Sequence, residues 1–348
     1  MTSLHRVGAA REKRVAIRSA AASRSLLCTA IVVASLWTVT ASDEKQVDSP
    51  PVTIDPPSAI DSRAFGITAS GDIVGLYVTP DSKTHGFFLT GGVYTSIDVP
   101  GAVRTNAVGI TELRGAHGDD QNDQRDGAPK RLAIVGRYDT TNPANPAATI
   151  GHGYLLSGGG LATIDHPDAT TFTVTSGINS SGQIVGRYMS KIDNRLHGFL
   201  LEDGIFTTVD YPGAMATYGI AINERGDIAG YYADASAVSH GFVRHDGVFT
   251  TIDPPGALST GLNAGILGIN SHEVVGLYRA KGATLPCGCD GTRGFVYSLG
   301  SGSYTTYAVP DSLGTGFTGV NGRGDIVGLF PDKAGRLHGL LLLRGGDQ

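Results

Sequence analysis

Charged residues make up only 17% of the chain and hydrophobic ones 41%. A charged, disordered chain is excluded, because there is enough apolar side chain to bury a sizeable core. Familiar catalytic signatures are missing: there is no Gly-x-Ser-x-Gly elbow, no His-Glu-x-x-His and no phosphate-cradling glycine loop. The apolar run Leu26–Val39 has 14 residues, short of the ~20 that cross a bilayer. Cysteine is scarce, with Cys28 inside that run and only Cys287 and Cys289 beyond it. Two thiols are too few for a four-ligand structural zinc.

Glycine is the residue in excess, 50 of 348, about twice the usual share. Because it destabilises helix interiors and recurs along the whole chain, it points to an all-β protein punctuated by turns. The N-terminus is different. Six basic residues (Arg6, Arg11, Lys13, Arg14, Arg18, Arg24) precede the apolar run, and small residues follow it at Val39-Thr40-Ala41. That order is expected of a secretory signal, residues 1–41, cleaved after Ala41, with an uncleaved anchor as the competing reading. Cleavage leaves 21 bases and 31 acids, a formal charge of −10. Such a chain repels phosphate backbones and anionic membranes, so nucleic-acid partners and membrane insertion after cleavage are not expected.

Residues 42–51 read as a polar linker and 346–348 as a tail. Everything between, residues 52–345, is one repeat. An isoleucine opens the copies at Ile67, Ile110, Ile178, Ile222 and Ile269, with Val320 in the sixth, at spacings of 43, 68, 44, 47 and 51 residues. An acidic insertion near Gly115 to Lys130 and a longer loop from Asp139 to Ile150 account for the 68. Each copy carries four strand-like segments: A (as in Gly177-Ile178-Asn179), B (Ile184-Val185-Gly186-Arg187-Tyr188), C (His197-Gly198-Phe199) and D (Phe206-Thr207-Thr208-Val209-Asp210). Segments B and C are near-continuous apolar runs, so burial on both faces is expected; D is rich in threonine and suits a sheet edge. Four-stranded sheets covered on both sides by like neighbours predict a six-bladed β-propeller with four-stranded blades. The sixth copy stops without a D segment, while Val52-Thr53-Ile54-Asp55 precedes the first A segment. Closure by an N-terminal strand completing the last blade is therefore expected, with seven blades or an open array as the alternatives.

The repeat resembles the extracellular repeat of the HAF family, named for a His-Ala-Phe triplet. The matching triplets are His85-Gly86-Phe87, His152-Gly153-Tyr154, His197-Gly198-Phe199, His240-Gly241-Phe242 and His338-Gly339-Leu340, with Arg293-Gly294-Phe295 in the fifth copy. The resemblance covers nearly all of residues 52–345 and implies an exported bacterial repeat protein, secreted or periplasmic. It supplies no catalytic residues.

Side chains that recur in every copy satisfy the same buried groups in every copy, so the histidines, the D-segment aspartates (Asp55, Asp98, Asp165, Asp210, Asp253) and the A-segment asparagines (Asn179, Asn223, Asn270, Asn321) are read as structural. Departures from the repeat carry the functional candidates. The acidic insertion, with Asp119, Asp120 and Asp123, could hold Ca²⁺, although it lacks the full EF-hand order; no other cofactor is implied. Cys287 and Cys289 are expected as a strained disulfide in an oxidising compartment. The long fifth-copy loop places Arg279, Lys281, Asp290 and Arg293 on the face of the D-to-A and B-to-C loops, where ligand contact is expected, rather than on the face of the acidic insertion. The expected function is a non-enzymatic, monomeric binding scaffold for an extracellular glycan or protein. The rival is a propeller enzyme, a lyase or hydrolase acting on glycans or small molecules near the central channel.

Overall fold

Short β-branched and aromatic segments separated by glycine turns fold here as antiparallel meanders, one per copy of the repeat. The computed structural model describes residues 44–46, 51–114, 131–261, 267–280 and 291–344, all within the second of two units, residues 40–348. The described residues are all-β, and no helix among them is long and apolar enough to cross a membrane.

Two short strands lead, β1 (Glu44–Gln46) and β2 (Val52–Ile54). The first meander is β3 (Asp61–Ile67), β4 (Ile73–Val78), β5 (Thr84–Thr90) and β6 (Val93–Ile97). The second is β7 (Arg104–Glu112), β8 (Leu132–Asn142), β9 (Asn145–Ser157) and β10 (Gly160–Ile164), and the third β11 (Ala169–Ile178), β12 (Ile184–Ser190), β13 (Leu196–Glu202) and β14 (Ile205–Val209). The fourth is β15 (Ala216–Ile222), β16 (Ile228–Ala233), β17 (Ser239–His245) and β18 (Val248–Ile252). In the fifth, β19 (Ala257–Thr260) and β20 (Gly268–Ile269) both pair with β21 (Glu273–Ala280), followed by β22 (Thr292–Ser298) and β23 (Tyr304–Ala308). The sixth has three strands of its own, β24 (Gly316–Val320), β25 (Ile326–Pro331) and β26 (Leu337–Leu342).

The fourth strand of that last meander is β2: Val52, Thr53 and Ile54 pair with Leu341, Leu340 and Gly339. Within the segment read as a linker, β1 adds in parallel outside β23, with Lys45 opposite Tyr307. Threonine-rich third-strand neighbours such as β6, β14 and β18 lie outermost and exposed, each anchored by one buried residue, Ile97, Val209 and Ile252. The middle strands are buried along most of their length, as in β4 and β16.

The core is a set of clusters, each between two consecutive meanders. Val74, Ile97 and Ala107 join the first to the second, and Val185, Val209, Ile228 and Phe242 the third to the fourth. Ile54 and Val327 of the sixth pack with Ala64, Ile73 and Phe87 of the first. Thr318 Oγ1 of the sixth also donates to the Ala64 carbonyl at 2.7 Å. The glycine in each second strand is a packing requirement: a Cβ at Gly186 would lie 2.0 Å from the Val174 carbonyl and 2.6 Å from the Phe199 ring.

Removing residues 42–57 would strip β26 of its partner and uncover Leu340 and Ala64. We expect this truncation to melt at least ~5 °C below the untruncated chain and to self-associate through the bare edge, read by thermal melting and size-exclusion chromatography. An unchanged, monomeric truncation would show that β2 contributes nothing.

Candidate functional site

The recurring polar residues form two sets of bonds. One joins strands within a meander: histidine Nδ1 meets aspartate at 2.8 Å in His85–Asp98 and His152–Asp165, 2.5 Å in His197–Asp210, and 2.7 Å in His240–Asp253 and His338–Asp55. An aromatic ring of the second strand lies beside each histidine, as Tyr77 does at 5.1 Å and Phe330 at 5.2 Å. In the fifth copy Arg293 replaces the histidine and Ala308 the aspartate. Both partners change together, as expected if neither is useful alone.

The second set runs from each meander to the next. Asn179 Nδ2 donates to the Asn223 carbonyl, Asn223 to Asn270, Asn270 to Asn321 and Asn321 to Thr68, all at 2.9–3.1 Å. A threonine does the same at the opposite end of the first strands. Thr105, Thr173, Thr217 and Thr315 accept the N–H of the residue after the aspartate position, from Val99, His166, Tyr211 and Val309. At Thr260 that residue is Pro254, which has no N–H, and the Thr260 hydroxyl is buried without a partner among the described residues. Ser62 follows Pro56 in the same way and instead bonds Asp55 and the Gly339 N–H.

Burial lowers the His197 imidazole, but the Asp210 and Asp193 carboxylates outweigh it and hold the ring above its usual value; Asp253 and Asp234 do so for His240. Asp193 is in turn lowered to about 2 by His197. His166, stacked 3.6 Å from Tyr188, is pushed down by burial.

Along the axis lined by the first strands lie two cavities. The larger, 330 Å³, opens at the A-to-B end between Thr68, Thr111, Ser180, Asn223, Asn270 and Asn321. The smaller, 80 Å³, lies deeper and shares with it Ile67, Ile110, Ile178, Ile222, Ile269 and Val320. One branched side chain per copy thus constricts the axis, leaving the larger cavity with an apolar floor and a polar rim. Its asparagine amides are committed to the next meander.

At the opposite end, near the D-to-A and B-to-C loops, Asp139 is fully buried between Arg104 and Arg137, with Arg137 Nε at 2.5 Å. Arg137 lies over the Phe172 ring at 5.2 Å and Arg187 over Tyr218 at 5.7 Å, so each reaches across to the following meander. Burial and the charges of Arg104 and Arg187 lower the Arg137 guanidinium against the pull of Asp139.

Of the residues singled out by sequence, Arg279 is the penultimate residue of β21, opposite Thr292, with its Nε buried and unpartnered among the described residues, and Arg293 stands next in β22 opposite Tyr278. Both lie at the D-to-A and B-to-C end. Lys281, Asp290, Cys287, Cys289, Asp119, Asp120 and Asp123 lie outside the described residues, and among those described no cluster of three or more His, Cys, Asp or Glu could hold a metal. The signal of Arg137 and Arg187 in the sequence is the side chain after the second-strand glycine, where the first, fifth and sixth copies have Leu76, Leu277 and Leu329; Arg104, which opens a first strand, has no such signal.

No family model matches the chain, and no curated protein matches it. Among solved structures, it is similar to AofleA from Arthrobotrys oligospora (12% identity, TM-score 0.47, 88% of this chain and 90% of that one). It is also similar to a mutant Aleuria aurantia lectin in complex with Fucα1-6GlcNAc (11%, 0.46, 83% and 94%) and to TolB from Acinetobacter baumannii (10%, 0.47, 84% and 66%). Likenesses this distant transfer neither residues nor function.

Two outcomes follow from these bonds. Thr217→Val should cost about 1–3 kcal/mol by stranding the half-buried Tyr211 N–H, whereas Thr260→Val, which removes a hydroxyl unpaired among the described residues, should be neutral or stabilising; urea unfolding of the two variants checks this. A histidine raised in the folded state contributes stability below its unfolded value and loses it as pH rises through the folded one, and a lowered histidine does the reverse. His197→Gln should therefore depress the melting temperature more at pH 6 than at pH 8, and His166→Gln more at pH 8 than at pH 6.

Proposed function

We propose that the chain is an exported six-bladed β-propeller of the HAF-repeat kind, closed by β2, that works as a monomeric binding scaffold for an extracellular glycan or protein. The blade count is supported by six meanders whose first strands all line one axis, and closure by the pairing of β2 with β26 and the bonds from Thr318 and Asn321 back to the first copy.

One observation carries the binding reading. The repeat's own polar side chains are consumed in bonds within and between blades, so the chemistry that differs from blade to blade, the arginine and tyrosine set around Asp139, is concentrated at the end bearing the D-to-A and B-to-C loops. The groups whose protonation departs from the ordinary favour a scaffold over an enzyme: His197 in the third blade, His240 and Asp227 in the fourth and Asp325 in the sixth are spread over three blades rather than converging on one cavity.

The test is a screen of the full exported chain against immobilised glycans and secreted proteins. We expect saturable binding without turnover, weakened at least tenfold when residues 281–290 are replaced by a short Gly-Ser turn, with the melting temperature unchanged. Absence of any binder, or conversion of a bound sugar to product, would overturn the scaffold.

A further inference from the structure

We propose that the axial mouth at the D-to-A end is a binding site for an acidic saccharide, whose carboxylate is held by Arg63 and Arg187. This deepens the binding reading above and rests on it.

The mouth is built from two positions in each copy, the residue after the buried hydroxyl of the first strand and the residue after the second-strand glycine. Cross-strand pairing sets them side by side: Arg63 opposite Leu76, Asn106 opposite Arg137, Val174 opposite Arg187, and Tyr218 opposite Tyr231. The third copy is tied to the fourth here by Arg187 lying over Tyr218, which stacks within the fourth copy on Tyr231 at 4.0 Å. In the fifth and sixth copies the first-strand position is Gly261 and Gly316, so the large polar groups occupy one side of the mouth only.

The charges of this wall are not balanced from within. Arg63, Arg104, Arg137 and Arg187 bring four guanidinium groups, and among the described residues the only carboxylate any of them meets is Asp139, which Arg104 and Arg137 share. Among the described residues Arg187 makes a single side-chain hydrogen bond, to Ser176 Oγ at 3.3 Å. Arg63 meets no acceptor among the described residues, and its Nε is buried. An excess of three positive charges thus sits in a chain whose net charge is −5. Buried donors without acceptors are rare in folded proteins, and a bound anion is one way to satisfy them.

The ligand's class follows from the shape and sign of what is offered. A guanidinium fork matches a carboxylate in two parallel hydrogen bonds. Asn106 Oδ1 is buried and unpaired among the described residues as well, and it is an acceptor. An acceptor beside the arginines suits a ligand that carries several hydroxyl donors next to its acid group better than a small anion with at most one or two. The Tyr218 and Tyr231 hydroxyls add groups able to donate or accept. A sugar acid presents this combination of one carboxylate and several hydroxyls on a compact ring.

Calorimetric titration of the full chain with glucuronate, glucose and inorganic phosphate tests the assignment, using Arg63→Gln, Arg187→Gln and, as a control at the other end of the axis, Arg114→Gln. We expect saturable glucuronate binding, at least tenfold tighter than glucose or phosphate, weakened at least tenfold by Arg63→Gln and by Arg187→Gln and unaffected by Arg114→Gln. Should either glutamine variant unfold, Arg63→Lys and Arg187→Lys keep the charge while removing the fork, and the same weakening is expected. Equal or tighter binding of phosphate would make this a simple anion site, and unchanged glucuronate affinity in both variants would move the ligand elsewhere; either overturns the proposal. Failure of all three probes also overturns it, while a neutral glycan or protein found in the broader screen would leave the scaffold reading intact.

Discussion

A four-stranded sheet whose middle strands are apolar on both faces cannot be stable alone, because half of its hydrophobic surface needs a second sheet to cover it. The rest of this structure depends on that need. Each core cluster draws residues from two meanders, and Phe87, Tyr154, Phe199, Phe242 and Phe295 are fully buried only because a neighbour supplies the other wall. At about 25 cal/mol per Å² of apolar surface removed from water, a buried ring contributes on the order of 2–3 kcal/mol, so loss of one neighbour exposes a whole row of such contributions. The sixth meander is where the need is most acute, since it has only three strands of its own, and the residues that meet it come from Val52–Ile54.

Close approach between neighbours then dictates residue type. First strands come so near one another that a Cβ at Gly319 would lie 2.3 Å from the Phe65 carbonyl. The asparagine and threonine bonds from one meander to the next work at the same separation, and they satisfy backbone groups that would otherwise be buried bare. Thr260 shows how local this logic is: proline at position 254 deletes one donor, and one hydroxyl is left over. The fifth copy makes the same point for the histidine–aspartate pair, where arginine and alanine stand in both places at once.

Much of this was legible in the sequence. Segments A to D fall on strands in the expected order, the threonine-rich D segments lie outermost, and the recurrent histidines, aspartates and asparagines hold the sheets together. That histidine and aspartate are each other's partners could have been inferred from their joint replacement at Arg293 and Ala308. Strand β1 was not legible, because Glu-Lys-Gln carries no alternation and a three-residue parallel pairing to β23 leaves no local signature. Nor was the cluster at Arg63, Arg137 and Arg187. Those positions are 74 and 50 residues apart, and only strand register and the turn from copy to copy bring them to one end of the axis.

The two ends of that axis differ in kind. At the A-to-B end the asparagine amides are spent on neighbouring carbonyls, and a ring of isoleucines floors a neutral cavity. At the D-to-A end stand four arginines, of which Arg104 and Arg137 share one aspartate, Asp139. An acidic protein surface repels anions at long range, and screening confines that repulsion to roughly 10 Å at ordinary salt. A small cationic mouth therefore acts only on an anion already close to it, and the surrounding negative charge lowers the affinity of polyanions that would have to lie across the wider surface. Such a site favours a compact acid or the charged end of a chain over an extended polyanion, a selectivity set by where the arginines stand rather than by how many there are.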